Sequence, residues 1–448
     1  MVKRFFLLIM VIVLCMPLFA LGEADNIRPT AAPEITSAPE ITEVPELTEV
    51  PELTEERELT ETPSTEENGE VPDIVIDEET FPDAVFREYV KTFDTNKNGL
   101  ISQSENMAVT RILVSDKGIE SLKGVENFIN LHLLSCDGNS IKELDLSNIP
   151  VLYELWCNNN GMEILNLSNC AKLEKLRCSD NKLTELDLGD CENIVEISCV
   201  NNRIEKLNLS NSKELRAAWC YKNRLLELDL SNCDKLEILS CYNNRLTKLH
   251  LPESSQLTDL WCYQNRLTEL NLSKSLNIEK LDCSNNHISS LDISACRALS
   301  RLNVSHNNLS MLDISKSTFN LEESIFSPQN INVSLNADDT GKYSFKLSDL
   351  NPVPETDNVL INDELFEGEV TNFDNPFNYI YKMTDLEGNI ADMKVNVNFK
   401  LMPKVVTKTE ETHAEKTNLV KIMLIIVGLI LLIALVYFAR LKLKQREE

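Results

Sequence analysis

Residues 215–277 decide the fold, because they contain one 21-residue unit three times in succession: LRAAWCYKNRLLELDLSNCDK, LEILSCYNNRLTKLHLPESSQ and LTDLWCYQNRLTELNLSKSLN. The same unit recurs nine times between Leu131 and Ser315 without an insertion. Its clearest marker is a column of asparagines: Asn139, Asn160, Asn181, Asn202, Asn223, Asn244, Asn265, Asn286 and Asn307. Self-similarity at a fixed period of this length predicts a solenoid, in which each unit is one structural repeat.

Eight of the nine units carry a cysteine three residues before the asparagine, and the ninth carries a valine: Cys136, Cys157, Cys178, Cys199, Cys220, Cys241, Cys262, Cys283 and Val304. Leucine or isoleucine fills the other fixed positions, so that the unit reads L-x-x-L-x-C-x-x-N-x-[LI]-x-x-L-x-L. This is a leucine-rich repeat, and we predict that it occupies residues 112–316, with a first unit that is one residue longer. Each unit contributes one short parallel strand around L-x-C, and neighbouring strands lie about 4.8 Å apart.

The cysteine column allows two interpretations: a ladder of disulfides or metal ligands, or a stack of buried thiols. Cysteines in register have Cβ atoms about 4.8 Å apart, whereas a disulfide needs about 3.5–4.5 Å. The sequence contains no C-x-x-C pair, and Val304 shows that an apolar group is sufficient at this position. We therefore favour buried thiols that pack as small apolar groups. For the asparagine column we expect side-chain amides that satisfy buried backbone groups of neighbouring repeats.

The residue before each cysteine is predicted to point from the concave strand into solvent, and this position contains all three tryptophans of the chain. The residue after the cysteine adds three tyrosines on adjacent strands. We predict one exposed aromatic patch with these ligand-binding residues: Trp156, Trp219, Tyr221, Tyr242, Trp261 and Tyr263. Tryptophan and tyrosine bury much area at a small entropic cost, so such patches mark binding sites. The alternative is that duplication of the repeat copied these aromatic residues without a role in binding.

Residues 73–111 are predicted to form a helical cap with a segment that resembles a calcium loop. Residues 94–105 fit the pattern D-x-[DN]-x-[DN]-G-x5-E of an EF-hand, and the candidate metal ligands are Asp94, Asn96, Asn98, Leu100 through its carbonyl, Ser102 and Glu105. Only two of them are carboxylates, so we expect one structural calcium ion with a weak affinity, on the order of 10⁻⁴ M or poorer. The alternative is a metal-free cap that covers the first repeat. No other cofactor is predicted.

The first 72 residues contain two segments that precede the cap. Residues 1–22 have the basic start, apolar run and small residues of a signal peptide. Residues 23–72 contain hexamers such as PEITEV and PELTEV, with a proline every sixth residue and many glutamates. Proline disfavours a helix and glutamate keeps the chain solvated, so this segment is predicted to be a disordered stalk.

Beyond the repeats, residues 320–402 change to short alternating segments separated by turn residues, which predicts an Ig-like β-sandwich domain. Residues 403–418 form a polar connector. The apolar residues 419–439 are long enough to cross a bilayer, and the basic residues 440–448 would then form a cytoplasmic tail. The chain is therefore expected in the cell membrane, with a single transmembrane helix and with its N-terminal region outside the cell.

Composition and motifs exclude some classes of function. The formal net charge is −28, and because phosphate binding needs a basic surface we do not expect nucleic acid as a partner. The five histidines occupy unrelated positions, and the sequence contains no nucleophile elbow, paired-carboxylate motif or glycine-rich loop. We therefore expect a protein that is not an enzyme.

Residues 81 to about 401 resemble the bacterial surface leucine-rich-repeat proteins of the internalin type. The resemblance is carried by 21-residue units with a cysteine ladder, such as LWCYQNRLTELNLS at residues 260–273, and by the order of an EF-hand-like cap, repeats and an Ig-like domain. It implies adhesion or ligand binding through the concave face. The sequence departs from this family because it has no L-P-x-T-G sorting signal and has the predicted transmembrane helix instead.

The function expected from the sequence is that of a membrane-anchored extracellular protein, which binds a protein or glycan ligand through the concave face of its repeats. A non-catalytic structural protein of the cell envelope, with the repeats as a spacer, is the alternative. Loss of binding on replacement of Trp219 and Trp261 by alanine would distinguish the first function from the second.

Overall fold

The computed structural model describes residues 73–253, 256–338, 342–361, 364–365 and 377–402. The predicted signal peptide, stalk, connector, transmembrane helix and cytoplasmic tail lie outside these residues: 1–22, 23–72, 403–418, 419–439 and 440–448. No helix of the described residues is long and apolar enough to cross a membrane. The structure therefore describes the cap, the repeats and much of the β region that follows them.

The cap contains two short helices and a two-stranded antiparallel sheet: β1 (Ile74–Val75), α1 (Ala84–Val90), β2 (Leu100–Ile101) and α2 (Gln103–Ala108). The carboxylate of Asp83 caps α1 by accepting hydrogen bonds from the backbone N–H groups of Val85 and Phe86, at 2.9 Å each. Its other oxygen accepts the N–H of Glu120 in the first repeat at 2.8 Å. One side of α1 buries Phe86 and Val90 in the hydrophobic core that continues into the repeats. Cap and repeats therefore share one core.

The repeats contain sixteen short strands: β3 (Arg111–Leu113), β4 (Leu133–Ser135), β5 (Glu143–Asp145), β6 (Glu154–Trp156), β7 (Ile164–Asn166), β8 (Lys175–Arg177), β9 (Glu185–Asp187), β10 (Glu196–Ser198), β11 (Lys206–Asn208), β12 (Ala217–Trp219), β13 (Glu227–Asp229), β14 (Ile238–Ser240), β15 (Lys248–His250), β16 (Asp259–Trp261), β17 (Lys280–Asp282) and β18 (Arg301–Asn303). Ten of them form one parallel sheet, which we call the concave sheet: β3, β4, β6, β8, β10, β12, β14, β16, β17 and β18. Its register advances by 21 residues per strand, as in Leu239↔Leu260, and by 22 at the first step, Ile112↔Leu134. The predicted period and the longer first unit are both confirmed.

The remaining strands of the repeats pair in twos on the outer side of the coil: β5 with β7, β9 with β11 and β13 with β15. Aspartate and asparagine alternate at the last position of the first four of these strands. Each pair therefore joins one acceptor to one donor, with Asn166 Nδ2 at 3.0 Å from Asp145 Oδ1 and Asn208 Nδ2 at 2.7 Å from Asp187 Oδ1. The pairing of strands on the outer side thus has a period of two units, whereas the pairing in the concave sheet has a period of one unit.

Each asparagine of the column lies in the turn after its concave strand and satisfies backbone groups of two repeats. Asn265 shows the pattern: its Nδ2 donates to the carbonyls of Cys241, Cys262 and Tyr263 at 3.0, 3.1 and 3.4 Å. Its Oδ1 accepts the N–H of Leu246 at 3.0 Å. Cys241 and Leu246 belong to the preceding repeat, so one side chain joins two turns of the solenoid. The role predicted for the asparagine column is confirmed.

The residue directly before each asparagine of the column adopts the left-handed conformation. Its φ lies between 52° and 66° in all nine units: Gly138, Asn159, Asp180, Asn201, Lys222, Asn243, Gln264, Asn285 and His306. Glycine, asparagine and aspartate visit this region most readily, whereas other residues pay about 1–2 kcal/mol for it. The turn is therefore imposed by the repeat, even where lysine, glutamine or histidine occupies it.

The solenoid extends one turn beyond the segment of repeats predicted from the sequence. Gln329 is fully buried and takes the place of the next asparagine. Its Nε2 donates to the carbonyl of Val304 at 2.8 Å, and its Oε1 accepts the N–H of Asn307 at 3.2 Å. The hydrogen-bonding pattern of the column thus continues to Gln329, inside the range 320–402 that the sequence assigns to the next domain.

After the coil, the described residues form a mixed five-stranded sheet: β19 (Gln329–Asn336), β20 (Val359–Ile361), β21 (Glu364–Leu365), β22 (Phe377–Thr384) and β23 (Ile390–Met402), in the order β19-β23-β22-β20-β21. β19 lies parallel to β23, and the other pairs are antiparallel. The sheet contacts the last repeat, where the hydroxyl of Tyr379 donates to the carbonyl of Ser310 at 2.8 Å. It covers the end of the solenoid, and the Ig-like sandwich stays a prediction because the described residues form one sheet.

The fold is a mostly β leucine-rich-repeat solenoid with few helices. Short 3₁₀ helices cover Val125–Asn127, Leu321–Glu323, Leu347–Asp349 and Thr356–Asn358. All twelve cysteines of the described residues are buried and free. Burial raises the pKa of their thiols, for example to about 12 at Cys178, because a thiolate would lose its hydration. The interpretation of the column as a stack of buried thiols is confirmed.

Candidate binding site

The register of the concave sheet places the residue before each cysteine in one row across the strands. In this row, which we call the tryptophan row, Trp219, Ser240 and Trp261 are direct neighbours on β12, β14 and β16. The residues after the cysteines form a second row, with a tyrosine following each of these three strands. The two rows bring together five of the six predicted ligand-binding residues, which we call the aromatic cluster: Trp219, Tyr221, Tyr242, Trp261 and Tyr263.

Trp156 lies apart from the aromatic cluster. It belongs to the same row but to β6, three strands before β12 in the concave sheet. The guanidinium of Arg177 on β8 lies over its ring, with Cζ 5.5 Å from the centroid. This cation–π contact already occupies one face of the indole. The structure therefore does not bring Trp156 into contact range of the other five.

The aromatic cluster is less exposed than the sequence predicts. Trp219 and Tyr242 each expose 9% of their surface, and Trp261 exposes 1%. The prediction that the tryptophans point into solvent is therefore wrong for Trp219 and Trp261. The reason is geometric: strands about 4.8 Å apart are closer together than large rings are wide, so the side chains of neighbouring strands cover each ring. Trp219 accordingly belongs to a second apolar cluster outside the main core: Val200, Ala217, Trp219, Tyr221 and Ile238.

The three tyrosines form a stack along the solenoid axis. The ring centroids of Tyr221 and Tyr242 are 4.3 Å apart with 10° between the planes, and those of Tyr242 and Tyr263 are 4.3 Å apart with 7°. The ammonium of Lys222 lies 5.9 Å from the centroid of Tyr221. Burial and the neighbouring phenols raise the pKa of Tyr242. Because the rings face one another, the stack presents edges and hydroxyls to a ligand rather than its inner faces.

Four polar atoms of the tryptophan row are buried without a hydrogen-bond partner among the described residues: Nε1 of Trp156, Trp219 and Trp261, and Oγ of Ser240. The same condition holds for side-chain atoms of Asn106, Ser212 and Arg301. An indole can only donate, and a buried donor without an acceptor costs about 1–3 kcal/mol. Two of these donors, on Trp219 and Trp261, lie within the aromatic cluster, and acceptor groups of a ligand would be most stabilising there.

An acid that sequence reasoning missed follows Trp261 in the row. Asp282 is only 4% exposed, and burial raises its pKa. Its carboxylate accepts the N–H and the hydroxyl of Ser284 at 2.9 and 2.7 Å, and Asn303 Nδ2 at 3.0 Å. The only sequence signal is the one acidic residue in a phase that otherwise carries tryptophan, serine, arginine or asparagine. These contacts give the aromatic cluster a polar margin on the side of β17.

In the segment that resembles a calcium loop, the predicted ligand side chains accept hydrogen bonds from the loop itself. Asp94 accepts the N–H of Asn98 at 3.1 Å and of Gly99 at 2.8 Å, and Asn96 accepts the N–H of Asn98 at 3.0 Å. Asn98 in turn accepts the N–H of Leu100, at 2.8 Å, where β2 begins. Gly99 has a φ of +82°, which makes the sharp turn. The loop is therefore ordered by its own hydrogen bonds.

Glu105, the predicted closing ligand, is engaged by donors of the same loop. Its carboxylate accepts the N–H and hydroxyl of Thr95 at 2.8 and 2.6 Å, and the N–H and hydroxyl of Ser102 at 2.9 and 2.7 Å. These bonds lower the pKa of Glu105 to about 2, and Ser102 and Glu105 form the capping box of α2. Across the described ranges, no group of three or more His, Cys, Asp or Glu side chains is placed to hold a metal ion. Calcium binding at this loop stays a prediction.

Comparison with solved structures identifies leucine-rich-repeat proteins. The functional domain of InlJ from Listeria monocytogenes, which includes a cysteine ladder, is 19% identical, and the match covers 74% of this chain and 100% of that one with a TM-score of 0.43. The chain resembles internalins. The internalin inlF from Listeria monocytogenes is 21% identical, and the match covers 53% of this chain and 86% of that one with a TM-score of 0.34. A leucine-rich-repeat protein from Leptospira interrogans is 17% identical, and the match covers 55% of this chain and 82% of that one with a TM-score of 0.36.

The resemblance predicted from the cysteine ladder and the 21-residue unit is thereby confirmed. No protein-family model matches the chain, and no curated protein matches it.

Proposed function

We propose that this chain is a non-catalytic recognition or adhesion protein, which binds an extracellular protein or glycan through its aromatic cluster. The observation that carries the proposal is the pair of buried indole N–H groups of Trp219 and Trp261, which have no acceptor among the described residues. Tryptophan and tyrosine are the residues most enriched among those that dominate binding energy. A ligand that supplies acceptors would remove a cost that the free protein bears.

The geometry of the cluster restricts how a ligand binds. Peptide carbonyls and the hydroxyl or carboxylate oxygens of a sugar are both acceptors that an indole N–H can use. The inner faces of the tyrosines are occupied by one another, at 4.3 Å between centroids. A sugar ring lying flat on the middle tyrosine therefore does not fit, and a ligand meets ring edges and hydroxyls instead. Because Trp261 is 1% exposed, binding also requires its neighbours to move.

The test measures binding of the full chain to a glycan array and to a set of purified surface proteins. The variant Trp219→Phe/Trp261→Phe keeps two aromatic rings in place but removes both indole donors. We expect it to lose about 2–6 kcal/mol of binding free energy, the sum of two hydrogen bonds at about 1–3 kcal/mol each, while its thermal midpoint stays close to that of the wild type. The matched control is Trp156→Phe, which removes an indole donor outside the aromatic cluster and is expected to leave binding unchanged. Retention of every ligand by the double variant would refute the proposal.

The second candidate is a structural protein of the cell envelope, in which the repeats act as a spacer. The burial of Trp219, Tyr242 and Trp261 favours it, because rings that expose less than a tenth of their surface stabilise the sheet whatever else they do. Under this alternative the wild type and the double phenylalanine variant bind no ligand in either assay.

The proposal includes a membrane anchor and a signal peptide, which are supported by sequence alone. Residues 1–22 would direct export, residues 23–72 would form the stalk, and residues 419–439 would cross the membrane with the basic residues 440–448 in the cytoplasm. The test is protease treatment of intact cells, which should digest the repeats and leave a C-terminal tag after residue 448 uncut. Cleavage of the tag on intact cells would contradict this orientation.

One weakly bound structural calcium ion is also part of the proposal. To coordinate an ion, Glu105 would have to exchange the donors of Thr95 and Ser102 for the metal, and this exchange is consistent with an affinity on the order of 10⁻⁴ M or poorer. Isothermal titration with calcium chloride tests it, with Glu105→Gln as the control. The absence of any difference between the two proteins at millimolar calcium would leave the metal-free cap as the answer.

A further inference from the structure

In five successive repeats, the residue directly after the asparagine of the column is basic. We call this set the basic column: Lys182, Arg203, Arg224, Arg245 and Arg266. All five are exposed. They leave the turns after β8, β10, β12, β14 and β16, so the column follows the strand spacing and spans about 20 Å along the solenoid axis. Sequence reasoning missed it, although its signal is a fixed phase of the repeat.

The basic column has little compensation by acidic side chains. Among the described residues one of its members makes an ion pair, Arg224 with Glu205 at 4.0 Å. The positions two residues before and two residues after Arg224, Arg245 and Arg266 carry no carboxylate. The residues two positions before them are Lys222, Asn243 and Gln264, and those two positions after them are Leu226, Thr247 and Thr268. In the C-terminal part of the column, Arg224 therefore has one carboxylate partner, and no ion pair of Arg245 or Arg266 is found among the described residues.

Charge is distributed differently at another phase of the same repeats. On the outer strands the same repeats alternate in charge, with Glu185, Lys206, Glu227 and Lys248 in succession, and Lys248 lies 4.0 Å from Glu227. Like charges in the turns of adjacent repeats repel one another. The chain as a whole also has more acidic than basic residues, 71 against 43. A row of arginines that repel one another in such a chain indicates an anion from outside the protein.

We propose that the basic column binds a linear acidic polysaccharide that lies along the solenoid axis. A polymer with a carboxylate or sulfate on successive sugars matches a straight row of evenly spaced cations. Arginine suits these groups, because its planar guanidinium donates two parallel hydrogen bonds to a planar or tetrahedral anion. The amides of Asn243 and Gln264 and the hydroxyls of Thr247 and Thr268 are exposed beside the row and supply partners for sugar hydroxyls.

A single-stranded nucleic acid fits this surface less well. Its binding uses aromatic faces on which successive bases stack, whereas the nearest aromatic residues, Tyr221, Tyr242 and Tyr263, stack on one another. The basic column also lies outside the two rows of the aromatic cluster. The proposal therefore stands or fails independently of the function proposed above.

The test is fluorescence anisotropy with the full chain in detergent micelles and two labelled probes, a sulfated heparin oligosaccharide and a carboxylated oligogalacturonate. The variant carries four substitutions: Arg203→Gln, Arg224→Gln, Arg245→Gln and Arg266→Gln. We expect it to bind about tenfold or more weakly, and the slope of log affinity against log salt to fall by roughly one for each contact removed. Binding of one probe alone supports the proposal and identifies the recognised anion.

A matched control removes the same charge from other exposed positions of the repeats: Lys142→Gln, Lys172→Gln, Lys213→Gln and Lys274→Gln. Unchanged affinity in this control is expected. Equal losses in the lysine and arginine variants would overturn the proposal, because binding would then follow total charge. It would also be overturned by a wild type that binds neither probe, or that binds single-stranded DNA of equal charge as tightly.

Discussion

The asparagine column and the tryptophan row belong to the same repeats, and both place side-chain N–H groups in buried positions. Every N–H of Asn265 has a carbonyl acceptor, and its oxygen accepts a backbone N–H. The indole N–H groups of Trp219 and Trp261, a few residues away on the concave sheet, have none among the described residues. The hydrogen bonds of the asparagine column are thus complete within the protein, whereas those of the tryptophan row are not. The first therefore belongs to the fold, and the second is open to a ligand.

The largest effect on the free energy of unfolding is expected from loss of one side-chain amide of the asparagine column. In Asn223→Ala the carbonyls of Cys199 and Cys220 and the N–H of Ile204 lose their partners in a buried turn. At about 1–3 kcal/mol for each buried group left unsatisfied, we expect the free energy of unfolding to fall by about 3 kcal/mol or more. Urea denaturation followed by circular dichroism measures it.

The control for this substitution is Asn211→Ala, since Asn211 is exposed and its amide makes one hydrogen bond, to the carbonyl of Gly189 at 2.7 Å. Its loss is expected to cost less than about 1 kcal/mol. If the two variants unfold at the same urea concentration, the asparagine column is not the structural element described above.

A smaller effect separates two serines of the same row. Ser198 and Ser240 are both buried, at 2% and 0% exposure, but Ser198 shares a hydrogen bond with Ser179 at 2.8 Å and the hydroxyl of Ser240 has no partner in the described structure. We expect Ser198→Ala to lower the free energy of unfolding by about 1 kcal/mol, and Ser240→Ala to leave it unchanged or raise it.

The same urea experiment decides this pair, and each variant is the control for the other because both remove one oxygen from the concave sheet. Equal destabilisation would mean that the hydroxyl of Ser240 is satisfied in solution, and the contrast between the complete column and the incomplete row would then be lost.

The elements that could be predicted from the sequence are those fixed by the period. The phase of Cys262 and Asn265 determines that one is buried and that the other lies in the turn, and the register then follows without knowledge of any contact. The row that contains Trp219 and Trp261 was predictable for the same reason. Its exposure was not, because exposure depends on how the side chains of neighbouring strands pack over each ring, and the spacing in sequence carries no information about rotamers.

Two further differences have the same physical origin. Gln329 follows Asn307 by 22 residues and has a longer side chain, so no fixed-period pattern finds it, yet its amide makes the hydrogen bonds of the column. In the cap, the pattern around Asp94 and Glu105 fits both a calcium loop and a capped helix. The structure adds that Glu105 accepts hydrogen bonds from Thr95, which the pattern does not predict.

Glu105 resembles the asparagine column in being fully engaged within the protein. Hydrogen bonds from Thr95 and Ser102 lower its pKa to about 2 in the folded state, while in the unfolded chain a glutamate titrates near 4.3. A carboxyl with a lowered pKa contributes stability that is fully present above the unfolded value and is lost as the pH falls towards the folded one. Between about pH 4.3 and pH 2 the wild type should therefore lose stability more steeply than Glu105→Gln. Urea midpoints across this interval measure the difference, and parallel curves would mean that the donors of Thr95 and Ser102 do not hold the carboxylate in solution.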